Sequence, residues 1–263
     1  MNQELIWTPF LTLFRREVHR FLKVIAQTLL TPLMNSTLYL LIFGVSLGQS
    51  INLSLNVTYL AFLIPGLVMM GCMNNAFQNS SSSIVSQKFQ GELEDLKVAP
   101  ISPLQIVWAM SLAGLVRGLL VGGVTLMVGE VFYRVSLGEF LPIHHAFAFL
   151  AFTSLGGLIF SNIGISLGFW ARSFDHMGAI TGFILTPLMY LGGVFFSIGN
   201  LHPVWQQIAL FNPMLYLING VRYGMLGVSD VDWQKSLLVA LTAWFLTYLL
   251  ALKTLRTSSF QRW

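Results

Sequence analysis

What most constrains this chain is the recurrence of long apolar stretches almost free of charge. A hydrocarbon layer of about 30 Å, crossed at about 1.5 Å per residue, needs about 20 apolar residues in a helix. Six stretches are long enough: about Val24 to Leu47, Tyr59 to Val85, Leu104 to Phe132, Ala146 to Trp170, Gly178 to Phe196 and Ser236 to Leu252. Their apolar character is continuous rather than alternating, and a backbone in lipid has no water to satisfy it, so each is expected to be a helix. The fold class expected is therefore an all-α membrane protein with six transmembrane helices. A free-standing soluble protein is excluded, because 9% charged residues cannot cover a chain that is 55% hydrophobic in water. The 13% aromatic content excludes disorder, and a lone cysteine, Cys72, excludes a disulfide scaffold.

The few charges set the orientation, since short loops rich in Lys and Arg stay on the cytoplasmic side. The N-terminal arm, the loops after the second and fourth spans and the C-terminal tail hold Arg15, Arg16, Arg20, Lys23, Lys88, Lys97, Arg172, Lys253, Arg256 and Arg262. The opposite loops hold only Arg134, Arg222 and Lys235. Both termini are expected in the cytoplasm, which requires an even number of spans. The net charge of +4 then reflects topology and calls for no nucleic-acid partner.

No apolar segment precedes Arg15 in the manner of a cleaved signal. Instead Trp7, Phe10, Leu11, Phe14, Val18, Phe21, Leu22 and Ile25 recur every three or four residues, with Arg15, Arg16, His19, Arg20 and Lys23 elsewhere on the wheel. Residues 1–23 are thus expected to form an amphipathic helix in the cytoplasmic interface. A membrane anchor and a docking surface are both open to it. Residues 24–257 form the six-span body and 258–263 a cytoplasmic tail.

Within the spans, polar residues are arranged in stripes. Gln27, Thr28, Thr31 and Asn35 share a face of the first, and Asn74, Asn75, Gln78, Asn79 and Ser82 follow helical spacing in the second. Such groups are costly against lipid tails, so they face other helices or a hydrated substrate path. Gly114, Gly118 and Gly122, and Gly164 and Gly168, make small-residue faces for close helix packing. Arg117 stands deep in the third span, where a charge costs about 3 kcal/mol or more. A place on the substrate path, and a structural pairing with Asn75, Gln78 or carbonyls, are both open. Glu130 and Arg134, four apart, are spaced to pair at the outer end of that helix.

The catalytic inventory is poor. The chain has no phosphate-binding loop G-x-x-x-x-G-K-[ST], no H-E-x-x-H and no G-x-S-x-G. His144 and His145 are adjacent and would point about 100° apart on a helix, which suits an interfacial position better than a shared metal. An enzyme is therefore not expected, nor a metal or cofactor on this chain. Transport needs energy from an ion gradient or from a second protein that hydrolyses ATP. An ion-coupled carrier or passive scramblase is the alternative, disfavoured because no carboxylate lies deep in a span.

Two further segments bear on that choice. In the loop 87–103, Phe89, Leu93 and Leu96 are spaced for one side of a short helix and Glu92, Glu94 and Asp95 for the other, ended by Pro100 and Pro103. Such a helix fits a cleft on a soluble partner, or lies on the lipid. In the segment 197–228, Pro203 and Pro213 each suit a first helical turn and Asn212 is a good N-cap, giving two helices too short to span. They are expected to form a re-entrant hairpin in the outer leaflet.

The loop from Phe89 to Pro103 resembles the coupling-helix region of ABC-2 type exporter permeases, with a Gly and acids followed by Leu96-x-Val98-Ala99-Pro100-x-Ser102. Thr186-Pro187-Leu188-x-Tyr190-Leu191-Gly192-Gly193-Val194-Phe195, then Phe211-Asn212-Pro213-x-x-Tyr216 and Gly220-x-Arg222-Tyr223-Gly224-x-x-Gly227, are similar to that family's signature around the fifth span and outer helices. The resemblance runs along essentially the whole chain, and the family includes drug-export and nodulation-export permeases. It implies the permease of a bacterial inner-membrane exporter for an amphiphilic, lipid-like or drug-like substrate, assembled as a homodimer among membrane lipids. Each copy would rest on a separate ABC ATPase subunit that carries ATP and Mg. Phe89 and Gly91, Glu92, Leu93, Glu94, Asp95 and Leu96 would sit in the ATPase cleft. Asn35, Asn74, Asn75, Gln78 and Arg117 would line the path, and Phe195, Asn212, Pro213, Tyr216 and Arg222 would close the outer end. Gln87, Lys88 and Gln90 depart from the acidic or arginine-rich residues common in relatives.

Overall fold

One helix, Tyr59–Gln90, is enclosed on nearly every side, and the other elements are arranged around it. The computed structural model describes residues 3–46, 48 and 57–257; Leu47 at the end of the first expected span and the tail 258–263 with Arg262 lie outside them. The helices are α1 (Gln3–Leu22), α2 (Ile25–Tyr39), α3 (Tyr59–Gln90), α4 (Asp95–Val98), α5 (Pro103–Leu137), α6 (Ala146–Trp170), α7 (Phe174–Ile180), α8 (Thr186–Leu191), α9 (Pro203–Leu210), α10 (Pro213–Leu226) and α11 (Trp233–Thr257). A π-helical stretch, Leu40–Ser46, continues α2, and another, Thr181–Leu185, joins α7 to α8. No strand occurs among the described residues.

Among the described residues, five helices are long and apolar enough to cross a membrane: Ile25–Ser46, Tyr59–Gln90, Pro103–Leu137, Ala146–Trp170 and Trp233–Thr257. Their ends follow from local chemistry. Thr58 caps α3 by accepting the Ala61 amide, and Gly91, at φ 78°, ends it. Ser102 and Gln105 make a capping box ahead of Pro103, so α5 starts where the proline fixes the backbone. At 35 residues α5 is about 52 Å long, well beyond the hydrocarbon thickness.

The fifth expected span differs. Helix runs from Phe174 to Leu191 through the π turn and ends at Gly192 and Gly193, the latter at φ 83°. Residues 194–196, placed inside the span by hydropathy, are not helical. The chain turns there because Val194 packs against α3 at Gly66, where an added Cβ would lie 3.0 Å from the Val194 backbone.

The small-residue faces clamp α3 between α5 and α6. A Cβ on Gly118 would stand 2.7 Å from the Cys72 carbonyl, and one on Gly164 2.6 Å from the Phe77 carbonyl. At one end of the bundle Leu13, Leu93, Ile106, Ile165, Phe169, Leu252 and Leu255 form a second core, so the loops rich in basic residues meet at one end. At the other end His144 and His145 donate backbone hydrogen bonds to Met225 and Gly224, and the His145 ring stacks on Tyr223. The expected Glu130–Arg134 pair does not form. Glu130 accepts the Leu141 amide at 3.1 Å, and Arg134 lies over the Phe140 ring, each finding a nearer partner in the loop after α5.

The packed side of α1 takes only part of the expected apolar stripe: Phe10 and Phe14 lie against the second core, and the buried side is centred beside the stripe. Leu13, Glu17 and Phe21 are buried, whereas Trp7, Leu11 and Leu22 stay exposed. An acid sits at the centre of the buried side because it is paired there, as described below.

Candidate functional site

The polar stripes converge on one cavity. It has a volume of about 510 Å³ and lies between α2, α3, α5 and α8. From α2 come Gln27, Thr28, Thr31, Asn35, Ser36 and Tyr39; from α3 Met70, Asn74, Asn75 and Gln78; from α5 Arg117 and Thr125; from α8 Thr186, Met189 and Tyr190. Each set repeats every three, four or eight residues, so helical periodicity alone turns each toward the same space. Asn35, Asn74, Asn75, Gln78 and Arg117 thus meet in a single cavity. α2 packs on α5 but touches α3 sparsely, and the cavity occupies that gap.

The hydrogen bonds leave much of this lining uncommitted. The Asn75 side chain donates to the Gly71 carbonyl and the Gln78 amide to the Asn74 side chain. The Thr28 hydroxyl and the Arg117 Nε are buried with no hydrogen-bond partner among the described residues. The pairing of Arg117 with Asn75 or Gln78 that the sequence left open is therefore absent. Gln27, Thr31, Asn35 and Gln78 are exposed on the single chain, so the cavity opens sideways through a polar mouth.

One end of the cavity is closed by aromatic rings. Phe195 packs against Tyr39, Phe43 and Tyr190 with centroids 5.4, 5.1 and 5.3 Å apart, and the Tyr39 and Tyr190 hydroxyls are 3.1 Å from each other. Of the residues expected at the outer end, only Phe195 belongs to this cluster. Arg222 instead is fully buried: it pairs with Asp230 at 3.5 Å, donates to the Gly193 carbonyl at 2.8 Å and lies 3.6 Å over the Phe62 ring. Asp230 also accepts from the Ser197 hydroxyl and the Ile198 amide. Arg222 and Asp230 thus bind α10, the loop 193–198 and α3 together behind the aromatic cluster. Asn212 caps α10 and donates to the Leu188 carbonyl at 2.6 Å, Pro213 fills the first turn, and the Tyr216 hydroxyl donates to the Leu210 carbonyl.

The loop 87–103 is not one amphipathic helix. α3 continues through Phe89 to Gln90, Gly91 reverses the chain, and only Asp95–Val98 is helical beyond it. The break separates residues that the spacing put on one side. Leu93 is 1% exposed inside the second core, while Phe89 is 58% exposed and stacks on Phe174. Leu96 is half-buried, and Glu92, Glu94 and Asp95 are exposed. Gln87 and Lys88 face inward: Gln87 donates to Glu17 and Ser83, and the Lys88 ammonium caps α6 by donating to the Phe169 and Ala171 carbonyls. A cation at a helix C-terminus is favoured by the helix dipole.

Sequence reasoning missed Glu17. Its carboxylate is held by Arg16 and Arg20, each at 3.3 Å, and Arg20 reaches across to the Asn79 carbonyl at 2.6 Å and to Ser82. The signal was present as Glu17 and Arg20 three apart on the arm, but its partners on α3 are about 60 residues away in sequence.

Comparison with known proteins agrees with this architecture. A family model described as ABC-2 type transporter matches residues 8–226. The inner membrane transport permease YadH of Escherichia coli strain K12 is 38% identical over 228 residues, covering 86% of each chain. Nodulation protein J of Rhizobium leguminosarum bv. viciae is 27% identical over 224 residues, covering 83% of this chain and 82% of its own, and that of Rhizobium meliloti is 25% identical over the same length. On the family match and the extent of these similarities, the chain belongs to the ABC-2 type transporter family, whose members are membrane transport permeases.

Proposed function

We propose that the chain is the permease subunit of an ATP-binding cassette exporter, moving an amphiphilic, lipid-like or drug-like substrate out of the cytoplasm or inner leaflet. The observation that carries this reading is the sideways polar mouth of the cavity. Amide side chains at that depth cannot face lipid without a large desolvation loss, so a second copy facing the first across a shared, hydrated conduit is the economical way to cover them. The setting is a bacterial inner membrane with six spans and both termini in the cytoplasm; the helix 174–191 supplies the fifth span and α9 and α10 the outer re-entrant pair. Energy comes from two copies of an ATPase subunit that hold ATP and Mg, since this chain carries no phosphate loop. Phe195 and its aromatic neighbours serve as the outer gate, framed by Arg222, Asn212, Pro213 and Tyr216.

In proteoliposomes containing the permease and its ATPase, uphill export is expected to require ATP and to survive an ionophore that collapses ion gradients. Uphill transport by the permease alone would sink the reading.

The ATPase contact is carried by the exposed side of the loop, Phe89, Glu92, Glu94 and Asp95, above a base formed by Gly91, Leu93 and Leu96. Glu92→Ala is expected to lower substrate-stimulated ATP hydrolysis about fivefold, as for loss of roughly 1 kcal/mol of contact, while insertion is unchanged. Full stimulation in both Glu92→Ala and Asp95→Ala would remove the loop from the transmission path. Leu93→Ala is a different experiment, since its loss opens a cavity in the second core and weakens the fold itself.

A further inference from the structure

Among the described residues Arg117 is the only charged one lining the cavity, and no Asp or Glu lines it. Glu17, the acid buried on α1, is already held by Arg16, Arg20 and Gln87. The guanidinium therefore has a buried Nε without a partner and no counter-charge in the space it lines. Around it stand neutral donors: the amides of Asn35 and Gln27 make no hydrogen bond to the described residues, and the Thr28 hydroxyl is orphaned. A fork of N–H donors with amide and hydroxyl groups nearby matches an oxyanion, which can accept several charge-assisted hydrogen bonds at once. On α2 the exposed Leu30, Met34 and Leu38 adjoin the Gln27–Thr31 edge of the lining, Met34 and Leu38 each seven residues on from one of them, so the polar site lies within reach of an apolar tail in the same layer.

We propose that the cavity selects an anionic oxygen-bearing group, of phosphate type, with Arg117 as its principal ligand. This deepens the transport reading and rests on it for biological meaning, but binding is measured without the ATPase or ATP. Its failure would leave ATP-driven export of a neutral substrate standing, and failure of ATP dependence would leave the binding site intact.

The test uses the purified full-length chain in dodecyl maltoside and titrates dodecyl phosphate, inorganic phosphate and the neutral dodecyl glucoside, with binding read by isothermal calorimetry. Dodecyl phosphate is expected to bind the parent chain, with affinity reduced about tenfold or more in R117Q and by less in R117K, which keeps the charge but loses the fork. N74D, which keeps Arg117 but adds a carboxylate to the same lining, is expected to weaken binding comparably. Saturation by dodecyl phosphate alone assigns the site to anionic amphiphiles, and equal response to inorganic phosphate assigns it to the free oxyanion; both support the proposal. Equal binding of dodecyl phosphate and dodecyl glucoside, or undiminished binding in folded R117Q and N74D, overturns it.

Discussion

Asp230→Ala is expected to destabilise the folded chain by about 3–5 kcal/mol, because it strands the Arg222 guanidinium in a site with no access to water. The remaining contacts do not replace the lost charge. The Gly193 carbonyl and the Phe62 ring face the guanidinium with partial charges only, and the loop 193–198 loses its anchor at Ser197 and Ile198 as well. The double variant D230A/R222M is expected to recover much of the loss, since the penalty lies in the unpaired charge rather than in the absence of the pair. Thermal unfolding in detergent of the parent, both single variants and the double variant measures this directly. A D230A chain as stable as the parent would show that the pair does not hold the loop in place.

A second large effect is expected at the seam between α3 and α6. At Gly164 an added Cβ would come within 2.6 Å of the Phe77 carbonyl, a backbone atom that cannot swing aside. Gly164→Ala is expected to destabilise by about 1–3 kcal/mol, and Gly164→Val by more, as α6 is forced off α3. Gly123 provides the contrast, since nothing lies within 4 Å of its added Cβ. There alanine is expected to be neutral or stabilising by up to about 1 kcal/mol through helix propensity. Equal stability of G164A and G123A would mean that the seam has room the structure does not show.

The sequence was most informative where periodicity and solvation agree. The stripes on α2 and α3 had to turn inward, because amides at that depth have no acceptable place in lipid, and they meet in one cavity. The two short helices at Pro203 and Pro213 were legible for a local reason, as proline and the Asn212 cap fix their starts. Periodicity failed where it was carried across a break. Phe89 and Leu93 are four apart, yet Gly91 in the left-handed conformation places one on the surface and the other in the core. It also gave no access to partners distant in the chain. Glu17 on α1 is buried because Arg20 neutralises it and Gln87 donates a hydrogen bond to it, and Arg222 because Asp230 lies eight residues on, beyond the end of α10. Neither pairing leaves a mark in hydropathy.

The two π-helical stretches give the cavity unequal walls. α3, α5 and α6 meet through backbone-to-backbone approaches that leave no slack, so that side is stiff. The facing side is built from α2 with its π continuation and from α8 after its π turn, segments whose widened turns hold the backbone less tightly in register. A force delivered to the bundle is therefore relieved on one side only. Any change in the cavity's shape is therefore expected in the wall that bears Tyr39 and Tyr190, with Arg117 fixed on the wall opposite.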